Sequence, residues 1–518
     1  MKRPEDKIVS RENFSKIREK LRKEGKKVVL CHGVFDLIHQ GHLEHFEDAK
    51  RQGDVLVVSC TAARYVNKGP GRPYFGDAER LKFLANLEII DYVLLSEAVT
   101  VHEIVRCVQP DVYAKGKEYA IAQNDITGNI GSEEEIVREY GGSVYYTEGK
   151  VFSSTKLLNN FFSALPKDVI DFSLSLKRKY GDDIVNCIRD YIEGFKDKKV
   201  LVIGDIIFDE YTFVNVQGVT MKDGSLSTFY EDKERYAGGS LAIARHLSEF
   251  AGKVTLCSIM GKEPGYMEFV NESMKGIKLE IIEDEQFVTP VKHRYVKANK
   301  QRQEYDKLFS VNRLMRRSDI REFDYSAFYK KLKRIIPGYD LVIIGDFGHG
   351  LIDQNARDII QEKSKYLALN VQTNSANMGM NLITKYDRAD SFVVDERELK
   401  MAFGQHLADK DQLLSKLLKK MHSDCAWVTI GAKGAIGLRP SQKQKALCPA
   451  LTLMVKDTVG AGDAFFSLAA LCAESKIPVD VSTMIANAAA ALKTNVLGNK
   501  DYVHKVDLMK FVSTVLNV

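Results

Sequence analysis

The sequence predicts an α/β protein of two doubly wound units, and three observations carry that prediction. First, 518 residues are more than one hydrophobic core accommodates. Second, short β-branched runs alternate with helical patterns, the rhythm of parallel strands joined by crossover helices. Third, that rhythm stops once, in the charged, strandless stretch 165–196, and restarts at Lys199. The predicted boundaries are 1–164 for the first domain, 165–196 for a helical linker and 197–518 for the second domain.

Taken in order, residues 10–24 read as a short amphipathic helix with Ser10 as its N-cap and Glu12 and Asn13 in the first turn. Lys27–Cys31 is the first apolar run, followed by a glycine turn and a helical stretch. Asp54–Ser59, Tyr92–Leu95, Val112–Ala114 and Ser143–Tyr146 continue the series, with a helix expected around Asp77–Leu87. Beyond the linker, strands are expected at Lys199–Gly204, Val254–Ile259, Leu341–Gly345, Leu367–Val371, Ser391–Val394 and Ala426–Ile430. No internal repeat or low-complexity tract interrupts them.

Composition narrows the function classes. Apolar residues are 45% and charged residues 28% of the chain, the balance of a soluble globular protein. The opening MKRPEDKIVSRENF has no apolar core, so no secretory leader is expected. No apolar run reaches the roughly 18 residues of a membrane span, so no membrane partner is expected. The eight cysteines are scattered without a CxxC pair, and Cys31, Cys60 and Cys257 read as small buried hydrophobes. That usage fits a reducing cytoplasm. Basic and acidic side chains number 75 and 70. Clusters such as Lys416, Lys419 and Lys420 read as solvated helix faces, and no nucleic-acid partner is expected.

The first chemical constellation is CHGVFDLIHQGH at 31–42: a strand, a glycine turn, then His39-x-Gly41-His42 at a helix entry. A nucleoside triphosphate needs close backbone approach, a helix N-terminus and donors around its α-phosphate. Gly33 and Gly41 permit the approach. His39 and His42 are candidates to donate to oxygens that gain charge in the transition state. Lys68 in NKGPGRP, Arg80, Lys115-Gly116 after a strand, and Ser153-Ser154-Thr155-Lys156 at a helix start extend the set. An HxGH pair alone is weak. Its place after the first strand of a βαβ unit, with the other stretches following in order, makes the chemical reading.

The stretches GVFDLIHQGH, the GRP loop, VYAKGKEY and SSTK resemble the cytidylyltransferase-like nucleotidyltransferases. Within them, most of 10–163 is similar to the adenylyltransferase half of the bifunctional ADP-heptose synthases. The resemblance implies a Rossmann-like domain with His39, His42 and Lys115 as catalytic groups. It implies Gly33, Phe35, Asp36, Gly41, Lys68, Arg80, Gly116, Ser153, Ser154 and Thr155 around the nucleotide.

The second constellation is DTVGAGD at 457–463, followed by the apolar helix AFFSLAALCA. Backbone N–H groups of Gly460, Ala461 and Gly462 at a helix start suit a transferring phosphoryl group. Asp463 is either a general base taking a proton from a sugar hydroxyl or a plain N-cap. Asp205 and Asp209 follow the first strand of this domain, and Gly238-Gly239 opens a helical segment suited to a sugar-binding turn. Asp395-x-x-Glu398 is a candidate to organise Mg²⁺ through water. Thr429, Gly431 and Gly434 form a turn suited to nucleotide, and Asn487 either lines the adenine pocket or packs.

This set resembles the ribokinase (PfkB) sugar kinases over about 197–518, so the resemblance as a whole is to ADP-heptose synthases with their two domains reversed. It implies a kinase making a heptose 1,7-bisphosphate and a transferase coupling the derived heptose 1-phosphate to a nucleotide, both with Mg²⁺ and ATP. In that pathway a separate phosphatase acts between the two steps. It also implies sugar-phosphate and nucleotide partners, and homodimers formed through a β-lid at Tyr211–Tyr236. The family's GGAAN turn is GGSLA here, with Ala242 for a sugar-contacting Asn. Its Asp-Pro-Lys is Asn370-Val371-Gln372, which removes a cation suited to a sugar phosphate. VKHRYV at 291–296 reads as a strand whose Lys292, His293 and Arg294 are candidates to replace it. Two alternatives stay open: CTP as the transferase nucleotide, and a second domain reduced to binding or dimerisation.

Overall fold

Elements form where the apolar period changes between two and 3.6 residues. The computed structural model describes residues 3–66, 73–98, 100–116, 130–147, 165–299, 304–375, 377–442, 444–452 and 455–517. It divides into two units, Met1–Ser173 with Met509–Val518, and Leu174–Leu508.

In the first unit, β1 (Val28–Gly33), β2 (Val55–Thr61), β3 (Tyr92–Ser96), β4 (Val112–Gly116) and β5 (Ser143–Thr147) form a sheet ordered β3-β2-β1-β4-β5. Every pairing is parallel. Alternate residues of β1 serve opposite faces. Val28 and Leu30 pack with Phe14, Val57 and Ile104, while Val29 and Cys31 pack with Phe46, Leu56 and Leu84. Burial on both faces is why these strands read as continuous apolar runs. The helix Arg11–Lys23 starts at Ser10, whose hydroxyl accepts from the Asn13 amide at 3.3 Å.

The stretch 165–196 holds two helices, Lys167–Tyr180 and Ile184–Gly194. Ile184, Ile188 and Ile192 form the buried stripe of the second. The division between units falls inside the first of these helices, and the terminal stretch Met509–Val518 groups with the first unit. The sequence boundaries differ because a continuous helix carries no compositional break where its partners change.

The second unit has a main sheet and a smaller one. The strands are β6 (Lys199–Gly204), β7 (Ile206–Val219), β8 (Leu226–Gly239), β9 (Lys253–Gly261), β10 (Lys278–Asp284), β11 (Val291–Asn299), β12 (Glu304–Arg313), β13 (Leu341–Asp346), β14 (Leu367–Val371), β15 (Ser391–Asp395), β16 (Cys425–Thr429), β17 (Ala435–Arg439) and β18 (Gln444–Cys448). The main sheet runs β10-β9-β6-β13-β14-β15-β16-β17-β18, and the smaller β12-β11-β7-β8. In the main sheet only the β16–β17 and β17–β18 pairings are antiparallel, so β17 alone runs against the other strands. Asp205 is the single residue between β6 and β7, so the chain steps there from one sheet into the other. Among the described residues, no helix is long and apolar enough to cross a membrane.

Candidate active sites

In the first unit, β1 lies between β2 and β4, the point where the strand order reverses and open α/β sheets take ligands. Cys31 pairs with Ala114, so the strand ends bring Gly33 beside Lys115 and Gly116. The helix Gln40–Lys50 begins at the same edge, with His39 as its N-cap and Gly41 and His42 in its first turn. The His39 and His42 rings stack at 3.9 Å, a spacing that disfavours charge on both. Burial holds the His39 pKa below the usual imidazole range, against the hydrogen bond of its own backbone. Phe35 is 7% exposed and meets His42 edge-on at 5.4 Å.

Lys115 pairs with Glu133 at 2.5 Å, and Tyr113 donates to the same carboxylate at 3.3 Å. The Thr147 hydroxyl donates to the Lys115 carbonyl at 3.2 Å and bonds His45 Nδ1 at 2.8 Å. Burial, with Lys115 adding to it, pushes His45 down to about 4. Glu133 and His45 were not singled out in the sequence. One sits in a run of glutamates and the other follows the HxGH motif without belonging to it.

In the second unit, the helix Ala461–Glu474 starts after Gly460 and carries Gly462 and Asp463 in its first turn. Gln372, just past β14, donates to Asp463 Oδ1 at 2.9 Å and to Asn370 Oδ1 at 2.9 Å. Burial raises the Asp463 pKa to about 6, while Gln372 and the Lys292 charge pull the other way. A carboxylate tuned toward neutrality and aimed by an amide fits a general base.

Asp209 on β7 accepts from Arg294 at 2.5 Å and from Asn499 at 3.0 Å. A β-carbon at Gly238 would come 2.4 Å from Asp209 Oδ2, which is why that strand end is glycine. Gly239 follows it and caps the helix Ser240–Ser248, which contains Ala242. Lys292 and Arg294, alternate residues of β11, line one cavity of about 220 Å³ with Ser310, Asn312, His349 and Asn374. His293 differs from expectation: it points away, bonding Thr212 at 2.6 Å and stacking on Tyr295.

Comparisons with known proteins bear on both units. Residues 30–160 match the cytidylyltransferase-like family model, and residues 352–503 match that of the pfkB family carbohydrate kinases. The first unit carries a cytidylyltransferase-like domain and the second a PfkB domain. The bifunctional protein HldE of Desulfatibacillum aliphaticivorans is 36% identical over 145 residues, 27% of this chain and 28% of that protein. HldE of Koribacter versatilis is 36% identical over 157 residues, 29% and 30% of the two chains. These matches lie in the N-terminal part, so the chain covers under a third of each relative. Among solved structures, Escherichia coli phosphofructokinase-2 is 14% identical with a TM-score of 0.48, covering 61% of this chain and 99% of its own. Arabidopsis thaliana ribokinase is 15% identical, with a TM-score of 0.47, 61% and 99%.

Several expected ligands have other work in these domains. In the cytidylyltransferase-like domain Arg80 is wholly buried. It donates to the carbonyls of Phe75, Val34 and Thr61, to Cys60 Sγ and to Asp77, so it braces loops instead of contacting nucleotide. Asp36 accepts from the Tyr74 and Phe75 amides at 2.7 and 3.0 Å and is likewise a loop anchor. Replacing Arg80 with Ala is expected to cost roughly 3–5 kcal/mol, because buried carbonyls of Val34 and Thr61 lose their donor and a large buried side chain leaves a cavity, read by urea unfolding of the full chain. Wild-type unfolding with only a raised nucleotide KM would restore Arg80 as a ligand. Lys68, Ser153, Ser154 and Thr155 lie outside the described residues.

In the PfkB domain Asp205 anchors the junction between the two sheets through one carboxylate oxygen. Its Oδ2 accepts from the Phe347 and His349 amides, and burial beside Asp346 raises its pKa to about 7. Asp395 and Glu398 form a capping box. Asp395 accepts from the Arg397 amide at 2.8 Å, and Glu398 accepts from the Asp395 and Thr373 amides at 3.2 and 2.7 Å. Among the described residues no group of three His, Cys, Asp or Glu is placed to hold a metal directly, and the role of Asp395 and Glu398 in organising Mg²⁺ through water stays a proposal. The Asn487 amide donates to the Pro449 carbonyl at 2.6 Å. Thr429 ends β16, and the turn through Gly431 and Gly434 closes the β16–β17 hairpin.

Proposed function

We propose that the chain is a bifunctional enzyme of activated-sugar synthesis. In the second unit, Asp463 takes the proton of a sugar hydroxyl, the anomeric one by the family resemblance, as that oxygen attacks the γ-phosphorus of ATP and ADP leaves. In the first unit, a phosphate oxygen of a sugar 1-phosphate attacks the α-phosphorus of a nucleoside triphosphate, and pyrophosphate leaves. His39, His42 and Lys115 face the charge that develops there. Mg²⁺ bound to each triphosphate neutralises phosphate charge. The leading product is an ADP-heptose, and a second copy of the chain pairs through the small sheet, whose Phe229, Tyr230, Phe309 and Val311 are exposed.

One observation supports a phosphorylated sugar above others: the cavity of about 220 Å³ lined by Lys292 and Arg294. Lys292, beside an Arg294 held by Asp209, gives this confined site a cation suited to a phosphate. It comes from a different strand than the cation missing at Gln372. Lys292 lies close enough to Asp463 for each charge to move the other's titration.

The test is steady-state kinetics on heptose 7-phosphate, unphosphorylated heptoses and hexose phosphates, with ³¹P NMR of products. Lys292→Met is expected to raise KM for the sugar phosphate about 10- to 100-fold, as loss of a charge-assisted bond does, and to leave unphosphorylated sugars little affected. Equal loss for both substrate classes overturns the phosphate assignment. Absence of sugar-dependent ADP release overturns the kinase reading and leaves a binding module. A nucleotide panel with pyrophosphate readout separates ATP from CTP in the transferase step.

A further inference from the structure

The helix Val479–Lys493 packs against the helix that carries Asp463. Its last residue, Lys493, is 1% exposed. A lysine is almost never buried that far without a partner or a task. Its ammonium donates to the Gly498 carbonyl, the one hydrogen-bond acceptor it has among the described residues. Its stem runs beneath the DTVGAGD turn, since a β-carbon at Gly460 would come 3.1 Å from Lys493 Cε.

The same segment grips the other end of the turn. The Gly498 amide donates to Asp457 Oδ2 at 2.9 Å. The Lys456 and Asp457 amides donate to the Thr494 carbonyl at 2.9 and 3.2 Å. The charged groups facing the ammonium are Asp457, Asp463 and Asp501, with Arg245 opposing them, and the buried His246 of the helix Ser240–Ser248 also feels its charge. Asp457 is also paired with Lys307 of β12 at 2.8 Å.

We propose that Lys493 is a positioning residue of the kinase step: a cation built into the chain beneath the Asp457–Asp463 turn, fixing Gly498 and Gly460 so that the turn's N–H groups face the transferring phosphoryl group. This rests on the kinase reading above. Burial lowers the Lys493 pKa to about 8 against the pull of the three aspartates. The ammonium is therefore charged at pH 7 and neutralises as pH rises through about 8. The unfolded chain keeps that proton up to its ordinary value of 10.5. Folding therefore releases it in that window, and stability from this group rises with pH there. Below pH 8 the buried charge opposes folding, so stability does not account for the residue.

Two full-length variants test the proposal. Lys493→Met fills the stem volume without charge, and Lys493→Ala leaves room beside the Gly498 carbonyl for a small cation. Lys493→Met is expected to melt at the wild-type temperature or above at pH 7. Its sugar-dependent ADP formation falls about 10- to 100-fold, the size of a small misplacement near the chemistry, and the wild-type decline above pH 8 disappears. Its ATP affinity, read by calorimetry without sugar, falls as well. In Lys493→Ala, ammonium chloride recovers ATP affinity and turnover, and tetramethylammonium chloride at equal ionic strength does not. Wild-type affinity and turnover in Lys493→Met overturn the proposal. A lowered melting temperature with no recovery by ammonium also overturns it, leaving a structural lysine. Wild-type protein that binds ATP but forms no ADP with any sugar overturns the kinase reading alone, because the ATP affinities still read Lys493.

Discussion

Replacing Asp463 with Asn is expected to lower sugar-dependent ADP formation roughly 10²–10⁴-fold, the range for a lost general base. The substitution keeps the shape and the Gln372 hydrogen bond and removes only the proton acceptor. Because burial raises the carboxyl to about 6, wild-type kcat/KM climbs as pH rises through about 6 and the base ionises. The variant lacks that limb. Stability moves the opposite way. A carboxyl whose pKa is raised on folding adds stability below its unfolded value of 3.8 and loses it as pH rises through about 6. At pH 7 the ionised Asp463 therefore opposes folding, and Asp463→Asn is expected to melt no lower than wild type. Pyrophosphate release by the first unit stays at the wild-type rate. Gly460, not Asp463, is the N-cap of this helix, so a variant that phosphorylates sugar at full rate would leave Asp463 as a buried first-turn carboxylate held by Gln372.

The strands that read as apolar runs were the most legible part of the fold. Lys199–Gly204 and Leu367–Val371 have the predicted bounds, because parallel strands buried on both faces leave short, mostly apolar runs. The β17–β18 hairpin was not anticipated. Its strands are five residues each, short and set among Gly434, Pro440 and Pro449.

Sites were legible where backbone geometry writes the motif. Glycines beside a helix start mark both the HxGH and DTVGAGD turns. Arg80 was misread because its burial depends on the carbonyls of Val34, Thr61 and Phe75, which only folding gathers around one guanidinium. Asp395 and Glu398 carried the local signature of the capping box they form, an acidic cap with Glu three residues on. Lys292 and Arg294 show the middle case. Alternation along β11 was visible, whereas its pairing with β7, which seats Lys292 opposite Asp209, joins residues more than 80 positions apart. Lys493 has no local signature. A lysine ending a helix is an ordinary C-terminal residue, and only burial distinguishes it.

His39→Ala and His42→Ala are each expected to reduce pyrophosphate release about 10²–10³-fold, the loss typical of one transition-state donor, with kinase turnover unchanged. Their stacking at 3.9 Å makes the pair one unit, so the double variant should lose less than the two single losses combined. Charge decides how the pair works. Burial keeps His39 below its ordinary pKa, so its ring is neutral in the resting site at pH 7. A triphosphate brings negative charge to this helix start and favours the imidazolium. Nucleotide binding at pH 7 should therefore take up a proton, and protonation of only one ring avoids repulsion between the two. Calorimetry in buffers of different ionisation enthalpy measures that uptake directly, and His39→Ala should abolish it. Proton uptake that survives in His39→Ala would move the titrating group elsewhere. Full-rate pyrophosphate release in both single variants would remove the stacked histidines from the chemistry.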